Sequence, residues 1–250
     1  RNMRTTGPDP PAVYGALPMS HSLRDPSPRG FAAARDEGLR AFFVATYARM
    51  GMALAVSAAT ALIVASSPAT LGAIYGTPLR WVVMLAPLGM ALFIGPAMAR
   101  STPAGATGWL LAFAAVMGVT LSSLLVIYTG ESVTRALLVT ACAFGGASLY
   151  GYTTGADLSR AGGLLAMAVI GLVVAGLVNI FLRSTGLQFA LSAFAVLVFT
   201  GLAAWDTQRL RLIYLSGGAT EQAAAYGALT LYLDVVNIFV ALLGLTGERR

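Results

Sequence analysis

The chain has 250 residues, of which 57% are hydrophobic and only 10% are charged, and its formal net charge is +6. Soluble domains carry about 25% charged residues, so this composition excludes an ordinary soluble domain and indicates a multi-pass membrane protein. All 16 basic residues are arginines, and no basic helix or aromatic-basic patch is present to follow phosphates. We therefore expect contact with anionic lipid headgroups and no nucleic-acid partner.

The first 38 residues are predicted to be a disordered cytoplasmic tail. They are rich in proline and arginine and show no hydrophobic period. No apolar core follows the basic start, so a signal peptide is not indicated. The only histidine, His21, lies in this tail, and the only cysteine, Cys142, lies in an apolar run. A zinc site built from histidine and cysteine is thus excluded, and no cofactor is predicted.

Residues 39–250 are predicted to form an all-α membrane domain with seven spanning helices. Each apolar run is near the roughly 20 residues that a spanning helix needs. Prolines and glycines mark the breaks between the runs. The predicted spans are about 42–66, 80–99, 108–128, 135–153, 162–182, 187–213 and 225–246.

The arginines predict the orientation of these spans. With the N-terminus inside, the inner segments carry eleven arginines and the outer segments carry five. Cytoplasmic segments are enriched in positive residues, so we predict a cytoplasmic N-terminus and an external C-terminus.

Two aspartates lie inside predicted spans, Asp206 in the sixth and Asp234 in the seventh. A charged group at membrane depth costs roughly 2.5–3.5 kcal/mol, so it is normally retained for a function. Counted from the connection at about 214–224, both lie roughly 12–14 Å from the inner end. Two carboxylates at one depth on neighbouring antiparallel helices can meet. Arg100 ends the second span at the same inner end and can reach into the bundle.

The seventh span carries a narrow stripe of small and polar residues. Such a stripe must face protein or water, so this helix is predicted to be central, with its aspartate directed at Asp206. Thr230 and Asn237 on the stripe, and Asn179 on the fifth span, are candidate supporting residues. The stripe consists of Gly227, Thr230, Asp234, Asn237, Ala241 and Gly244.

Two carboxyl groups in a buried site of low dielectric constant cannot both ionise without a large free-energy cost, so the pair titrates in coupled steps. A shared proton holds them together, and its loss leaves two negative charges that repel or recruit a cation such as Ca²⁺. Plainer interpretations stay open. Asp206 can pair with Arg209 at i,i+3, Asp234 can bond to backbone or to Asn179, and Arg100 can serve topology alone.

The chain resembles the bacterial branch of the Bax inhibitor-1 family, also called the transmembrane Bax-inhibitor-motif family, over about residues 40–247. The segments that carry the resemblance are GVTLSSLLVIYTGES at 118–132, TACAFGGASLYGYTTGADLS at 140–159, FTGLAAWDTQRLRLIY at 199–214 and ALTLYLDVVNIFVALL at 228–243.

The resemblance implies a seven-helix bundle around a central last helix. It also implies a pH-sensitive calcium leak channel in the bacterial inner membrane, gated by a diaspartyl pair at Asp206 and Asp234 with an arginine latch at Arg100. This sequence departs from its relatives after Arg100, where they tend to have a basic cluster. Some relatives associate with an ATP-dependent membrane protease, which is therefore a candidate partner.

Three other functions stay open. A non-conducting regulator would bind another membrane protein and use the aspartates only for packing. An intramembrane aspartyl protease would also place its aspartates on two neighbouring helices, but the residues before Asp234 lack the glycines that admit a substrate backbone. A proton-coupled transporter has no unwound segments in matching halves to support it.

Overall fold

The computed structural model describes residues 28–250, and this part of the chain is helical with short connections. The helices are α1 (Pro28–Ala65), α2 (Pro68–Tyr75), α3 (Leu79–Ala99), α4 (Pro103–Ile127), α5 (Gly130–Thr153), α6 (Ser159–Leu182), α7 (Thr185–Leu215) and α8 (Glu221–Thr246).

Seven of these helices are long and apolar enough to cross a membrane, which confirms the predicted spans. They are α1 and α3–α8. The additional short helix, α2, was not predicted, because a serine followed by a proline between two apolar runs indicates a break between spans. Proline is tolerated in the first turn of a helix, and the Ser67 hydroxyl caps α2 by accepting a hydrogen bond from the Thr70 N–H.

The first helix begins earlier than the sequence predicted. It starts at Pro28, so residues 28–38, assigned to a disordered tail, are helical. The alanines after Pro28 favour helix, which a search for apolar runs does not detect. The rest of the predicted tail lies outside the described residues. The chain divides into two compact units, residues up to 41 and residues 42–250, and the described part of the first is the beginning of α1.

Short connections make consecutive spans antiparallel, so the bundle of residues 42–250 has two ends. The end that was predicted to be cytoplasmic carries the connections 100–102, 154–158 and 216–220. We call it the inner end. The opposite end carries the connections 66–78, 128–129 and 183–184 together with residues 247–250, and we call it the outer end.

Helix α8 is the core of the bundle, as the stripe on the seventh span predicted. Its apolar stretch is 56% buried, whereas the corresponding stretches of the other spans are 6–28% buried. It packs against α3, α4, α5 and α7. Helix α6 is the other extreme, because its large apolar side chains are exposed to the surroundings of the bundle.

Candidate functional site

The polar stripe of α8 contacts α7 near both ends of the two helices. Near the inner end, a Cβ added at Gly227 would strike the Leu210 side chain. Near the outer end, a Cβ added at Gly244 would lie 2.7 Å from the Ser192 hydroxyl. The glycines therefore let the two helices approach closely, and they set an antiparallel register in which the two aspartates lie between these contacts.

Asp206 and Asp234 meet side chain to side chain across this interface. Side chains lean toward the N-terminus of their own helix, so on antiparallel helices the two carboxyl groups lean toward each other. Both groups are buried, with 8% of Asp206 and 3% of Asp234 exposed. The predicted pairing of the aspartates is thus present in the structure.

One oxygen of this pair has no conventional hydrogen-bond donor. Asp234 Oδ2 is fully buried and accepts no hydrogen bond from any N–H or O–H group of the described residues. An ionised carboxylate accepts hydrogen bonds but donates none. A hydrogen bond between the two carboxyl groups therefore requires a proton on one of them.

Arg209 is a fixed charge that acts electrostatically on Asp206. The alternative prediction was an i,i+3 ion pair between these two residues. No such pair is found among the ion pairs of residues 28–250. The Arg209 guanidinium instead lies over the Trp205 ring, 5.2 Å from its centroid. A stacked arginine near the inner end leaves the Asp206 carboxyl free to face α8.

The structure does not bring Arg100 to the aspartates. Arg100 caps the C-terminus of α3 and is exposed, and it forms no ion pair within the described part of the chain. One turn earlier, Gly95 lies against Tyr226 of α8. Tyr226 is about two helical turns, roughly 12 Å, inward of Asp234. The arginine latch therefore stays a prediction that this conformation does not display.

The predicted supporting residues fall into two sets. Thr230 and Asn237 lie on the α8 stripe but bond to their own helix, through the carbonyls of Gly227 and Leu233. Asn179 lies near the outer end, where its side chain bonds Gln188 and the Ser184 N–H. Asn179 shapes the α6–α7 connection and does not approach Asp234, because the two residues lie at different depths.

Two buried polar groups near the pair were missed by the sequence analysis. The Tyr232 hydroxyl lies 2.6 Å from Ser57 Oγ, which donates to the Ala114 carbonyl, so the two residues join α8, α1 and α4. Gln208 spans the α5–α6 connection, donating to the Ala156 carbonyl and accepting from the Leu158 N–H. The sequence contained a signal for Gln208, because an amide side chain in an apolar span is unusual. It contained no comparable signal for Ser57.

Comparison with known proteins identifies the family. The family model described as "Inhibitor of apoptosis-promoting Bax1" matches residues 39–250. The chain belongs to this family. An uncharacterized protein of Caulobacter vibrioides is 43% identical over 86% of this chain and 91% of its own length. The inner membrane protein YbhL of Escherichia coli K12 is 38% identical over 85% of this chain and 94% of its own length.

A more distant relative is an uncharacterized membrane protein of Streptococcus pyogenes. It is 31% identical over 85% of this chain and 95% of its own length. The names of this relative and of the Escherichia coli protein agree with the seven spans seen in the structure. The chain is therefore a multi-pass membrane protein of the Bax1 inhibitor family.

The donor set of the site limits what it can hold. No group of three or more histidine, cysteine, aspartate or glutamate side chains that could bind a metal exists among residues 28–250. Ca²⁺ takes six to eight oxygen ligands, and Asp206 and Asp234 supply only part of that shell. The pair is therefore better suited to a cation that passes through with part of its hydration shell than to a permanently bound metal ion.

Proposed function

We propose that the chain is a pH-sensitive calcium leak channel and that Asp206 and Asp234 form its gate. One observation carries the proposal: two carboxyl groups meet in a buried site at membrane depth, and one oxygen of Asp234 accepts no hydrogen bond from any other described group. A purely structural pair would be expected to satisfy such an oxygen with a fixed donor. Membership in the family supports the same function.

The gate would respond to pH through the charge of the pair. At low pH the carboxyl groups share a proton and hold α7 against α8. At higher pH the proton is lost and the two negative charges repel each other at close range. The same charges attract a divalent cation, so the deprotonated pair both loosens the interface and favours Ca²⁺ in it. Flux should therefore rise as pH rises.

The location of the pair makes this chemistry specific to a membrane interior. Water would screen two carboxylates and weaken both effects, whereas the buried interface leaves the charges unscreened. The arginine latch at Arg100 belongs to the proposal as a contact of another conformation. Residence in a bacterial inner membrane and an inside N-terminus are also proposed.

The test is Ca²⁺ flux into liposomes that contain the purified chain, measured against pH. Asp206→Asn and Asp234→Asn keep the size of each side chain and remove its charge. We expect both variants to lose the pH dependence. Asp157→Asn is the matched control, because Asp157 is an exposed aspartate in the α5–α6 connection, and its removal should leave the pH profile unchanged.

Absence of Ca²⁺ flux from a correctly folded wild-type protein at every pH would refute the channel. Flux with the same pH profile in wild type and both variants would refute the gate. A stoichiometric membrane partner that copurifies with a non-conducting chain would favour the alternative of a regulator, and an ATP-dependent membrane protease is the first partner to test.

A further inference from the structure

A cavity of about 650 Å³ lies between α1, α4, α5 and α8. Its back wall belongs to the central helix α8, through Val236 and Phe239, which are only 4% and 9% exposed. Ligand pockets in proteins have volumes of about 300–1,000 Å³. The cavity is therefore large enough for an occupant, and the chemistry of its lining decides what that occupant is.

The lining of the cavity is suited to hydrocarbon. Ser57 and Thr140 are its polar side chains, and both hydroxyl groups donate their hydrogen within the protein. Ser57 donates to the Ala114 carbonyl at 2.7 Å, and Thr140 donates to the Ala136 carbonyl of its own helix at 2.7 Å. A charged or strongly polar group in the cavity would lose its hydrogen bonds to water without replacement. The occupant that this lining accepts is an apolar chain.

The cavity opens sideways, between α1 and α5, toward the lipid around the bundle. Leu62 of α1 and Leu137 of α5 both line it, and they are nevertheless 61% and 52% exposed. Toward the inner end the two helices come together, where the rings of Tyr47 and Phe144 lie 6.4 Å apart. Acyl chains of the bilayer can thus enter from the side, and a chain in the cavity makes the dispersion contacts that an empty space would lack.

The length of the cavity matches the depth of one lipid leaflet. Met50 and Leu62 mark its two ends on α1, and Val133 and Phe144 mark them on α5. At about 1.5 Å per residue, these stretches are about 18 Å and about 17 Å long. The hydrocarbon core of a bilayer is about 30 Å thick, so the acyl chains of one leaflet occupy about 15 Å of it. The cavity therefore has room for one acyl chain that lies along the helices.

Two arginines are fixed at the outer end of this cavity. Residues 247–250 follow α8 and lie along the α4–α5 connection. The Thr129 N–H donates to the Glu248 carbonyl at 3.0 Å, and the Arg250 N–H donates to the Ile127 carbonyl at 2.9 Å. These backbone hydrogen bonds hold Arg249 and Arg250 beside the connection, where the headgroups of the lipids at the outer end would lie.

The charges of this segment complement a phosphate group. Leu125 and Val133, which line the cavity, are each about one helical turn from the α4–α5 connection. Arg249 and Arg250 are exposed, and neither forms an ion pair within residues 28–250. Glu248 is the acidic residue of the segment, so its side chains keep a net positive charge. Guanidinium groups bind phosphate through paired N–H donors.

From these features we propose that the cavity holds one acyl chain of a phospholipid whose phosphate group binds Arg249 and Arg250. The chain enters between α1 and α5, and the phosphate stays at the headgroup level of the outer end. A diacylglycerol would use only the apolar part of this site, and inorganic phosphate would use only the arginines. The proposal requires that the chain crosses a membrane, and it stands whether or not calcium ions pass through the protein.

The test uses the full chain in nanodiscs of phosphatidylethanolamine and phosphatidylglycerol. A small part of the phosphatidylglycerol carries a diazirine in one acyl chain, so that light links this chain to the residues it touches, and peptide mass spectrometry locates the products. A diacylglycerol with the same diazirine chain is the matched probe without a phosphate. Helix α6 is the internal reference, because its large apolar side chains are exposed to lipid.

We expect the phospholipid probe to label Val236 and Phe239 on the back wall as well as α6. The diacylglycerol probe should label α6 equally and the back wall several-fold less. Replacing Arg249 and Arg250 together by glutamine should lower back-wall labelling by the phospholipid probe to the level of the diacylglycerol probe. Arg183→Gln is the matched control, because Arg183 is an exposed arginine at the same end, and it should leave the labelling unchanged.

A second pair of variants tests the cavity itself. Ala58 lines the cavity on α1, so Ala58→Trp fills part of it and should remove the back-wall labelling by both probes. Ala166→Trp is the matched control, because Ala166 is exposed on α6 and lies outside the cavity. It should leave the labelling of the back wall as in wild type.

Two results would overturn the inference. Labelling of α6 without labelling of Val236 or Phe239 in wild type would show that no acyl chain enters the cavity. Equal back-wall labelling by the two probes would show that the phosphate is not bound. Both results come from the wild-type protein, so they decide the question even where a variant does not fold. A calcium assay that fails while the probes behave as expected would refute the channel and leave this inference intact.

Discussion

Neutralising either aspartate should stabilise the closed bundle at high pH. At about 4 Å and an effective dielectric constant near 20, two unit negative charges repel by about 4 kcal/mol. In the proposed gate the folded protein avoids this cost by sharing one proton between the two carboxyl groups, and the unfolded chain loses that proton to water. Because the folded state of the gate then binds more protons than the unfolded state, we expect stability to fall as pH rises.

The change to asparagine removes the repulsion between the two charges, whereas the remaining carboxyl group stays buried. In Asp206→Asn the new amide is a hydrogen-bond donor for the carboxylate of Asp234. Wild-type stability should drop by up to about 1.4 kcal/mol per pH unit over the range in which the pair loses its proton. Asp206→Asn and Asp234→Asn should show a smaller slope and should be more stable than wild type at the alkaline end.

The assay is unfolding of the purified protein in one detergent or lipid system, followed from about pH 5 to about pH 8. Asp157→Asn serves as the control for a general loss of negative charge. Parallel stability curves for wild type, Asp206→Asn and Asp234→Asn would refute the reasoning, because they would mean that the pair carries the same charge across the whole range.

Three further outcomes follow from the packing and the connections. Gly151→Ala places a methyl group against the backbone of α7 and should destabilise the protein by about 1–3 kcal/mol or more, which is the cost of core overpacking. Gly146→Ala on the same helix meets open space and should be neutral in thermal unfolding. Ser57→Ala leaves the buried Tyr232 hydroxyl without its hydrogen-bond partner and should lower the free energy of unfolding by about 1–3 kcal/mol. Adding Tyr232→Phe should recover part of that loss in a double-mutant cycle. Strictly additive effects of the two substitutions on the free energy of unfolding would contradict the hydrogen bond. Hydrogen bonds from Ser159, the residue that begins α6, hold the pKa of Asp157 below its ordinary value. The Asp157 carboxylate therefore stabilises the start of α6 at pH values above its unfolded pKa, and this stabilisation is lost as pH falls through its folded pKa. Hydrogen exchange at the start of α6 should increase over that pH range in wild type and should show no such increase in Asp157→Asn.

Much of the architecture was readable from the sequence because it depends on local composition. Apolar runs of spanning length predict spanning helices whatever their neighbours are, and seven such helices are present among residues 28–250. The spacing of glycine and polar residues on α8 likewise indicated a face that lipid cannot cover. The start of α1 at Pro28 and the short helix α2 were missed, since both depend on capping and helix propensity and not on hydrophobicity.

The candidate site also combines features that the sequence predicts with features that only the structure shows. An aspartate in an apolar span is conspicuous in any sequence, so Asp206 and Asp234 could be found without coordinates. Their contact needed the register of two antiparallel helices, which the close fit of Gly227 and Gly244 against α7 determines. Arg100 shows the limit, because a long side chain at a helix end can reach in several directions, and here it is exposed.

By itself, then, the sequence determined that this protein crosses a membrane seven times and carries two carboxylates at membrane depth, because the cost of placing polar groups in lipid is a property of each segment alone. Only the tertiary structure decided that the two carboxyl groups meet, with one buried oxygen of Asp234 that accepts no hydrogen bond from the described residues. This contact joins residues far apart in the chain, and the pattern along one helix does not specify its partner across the interface.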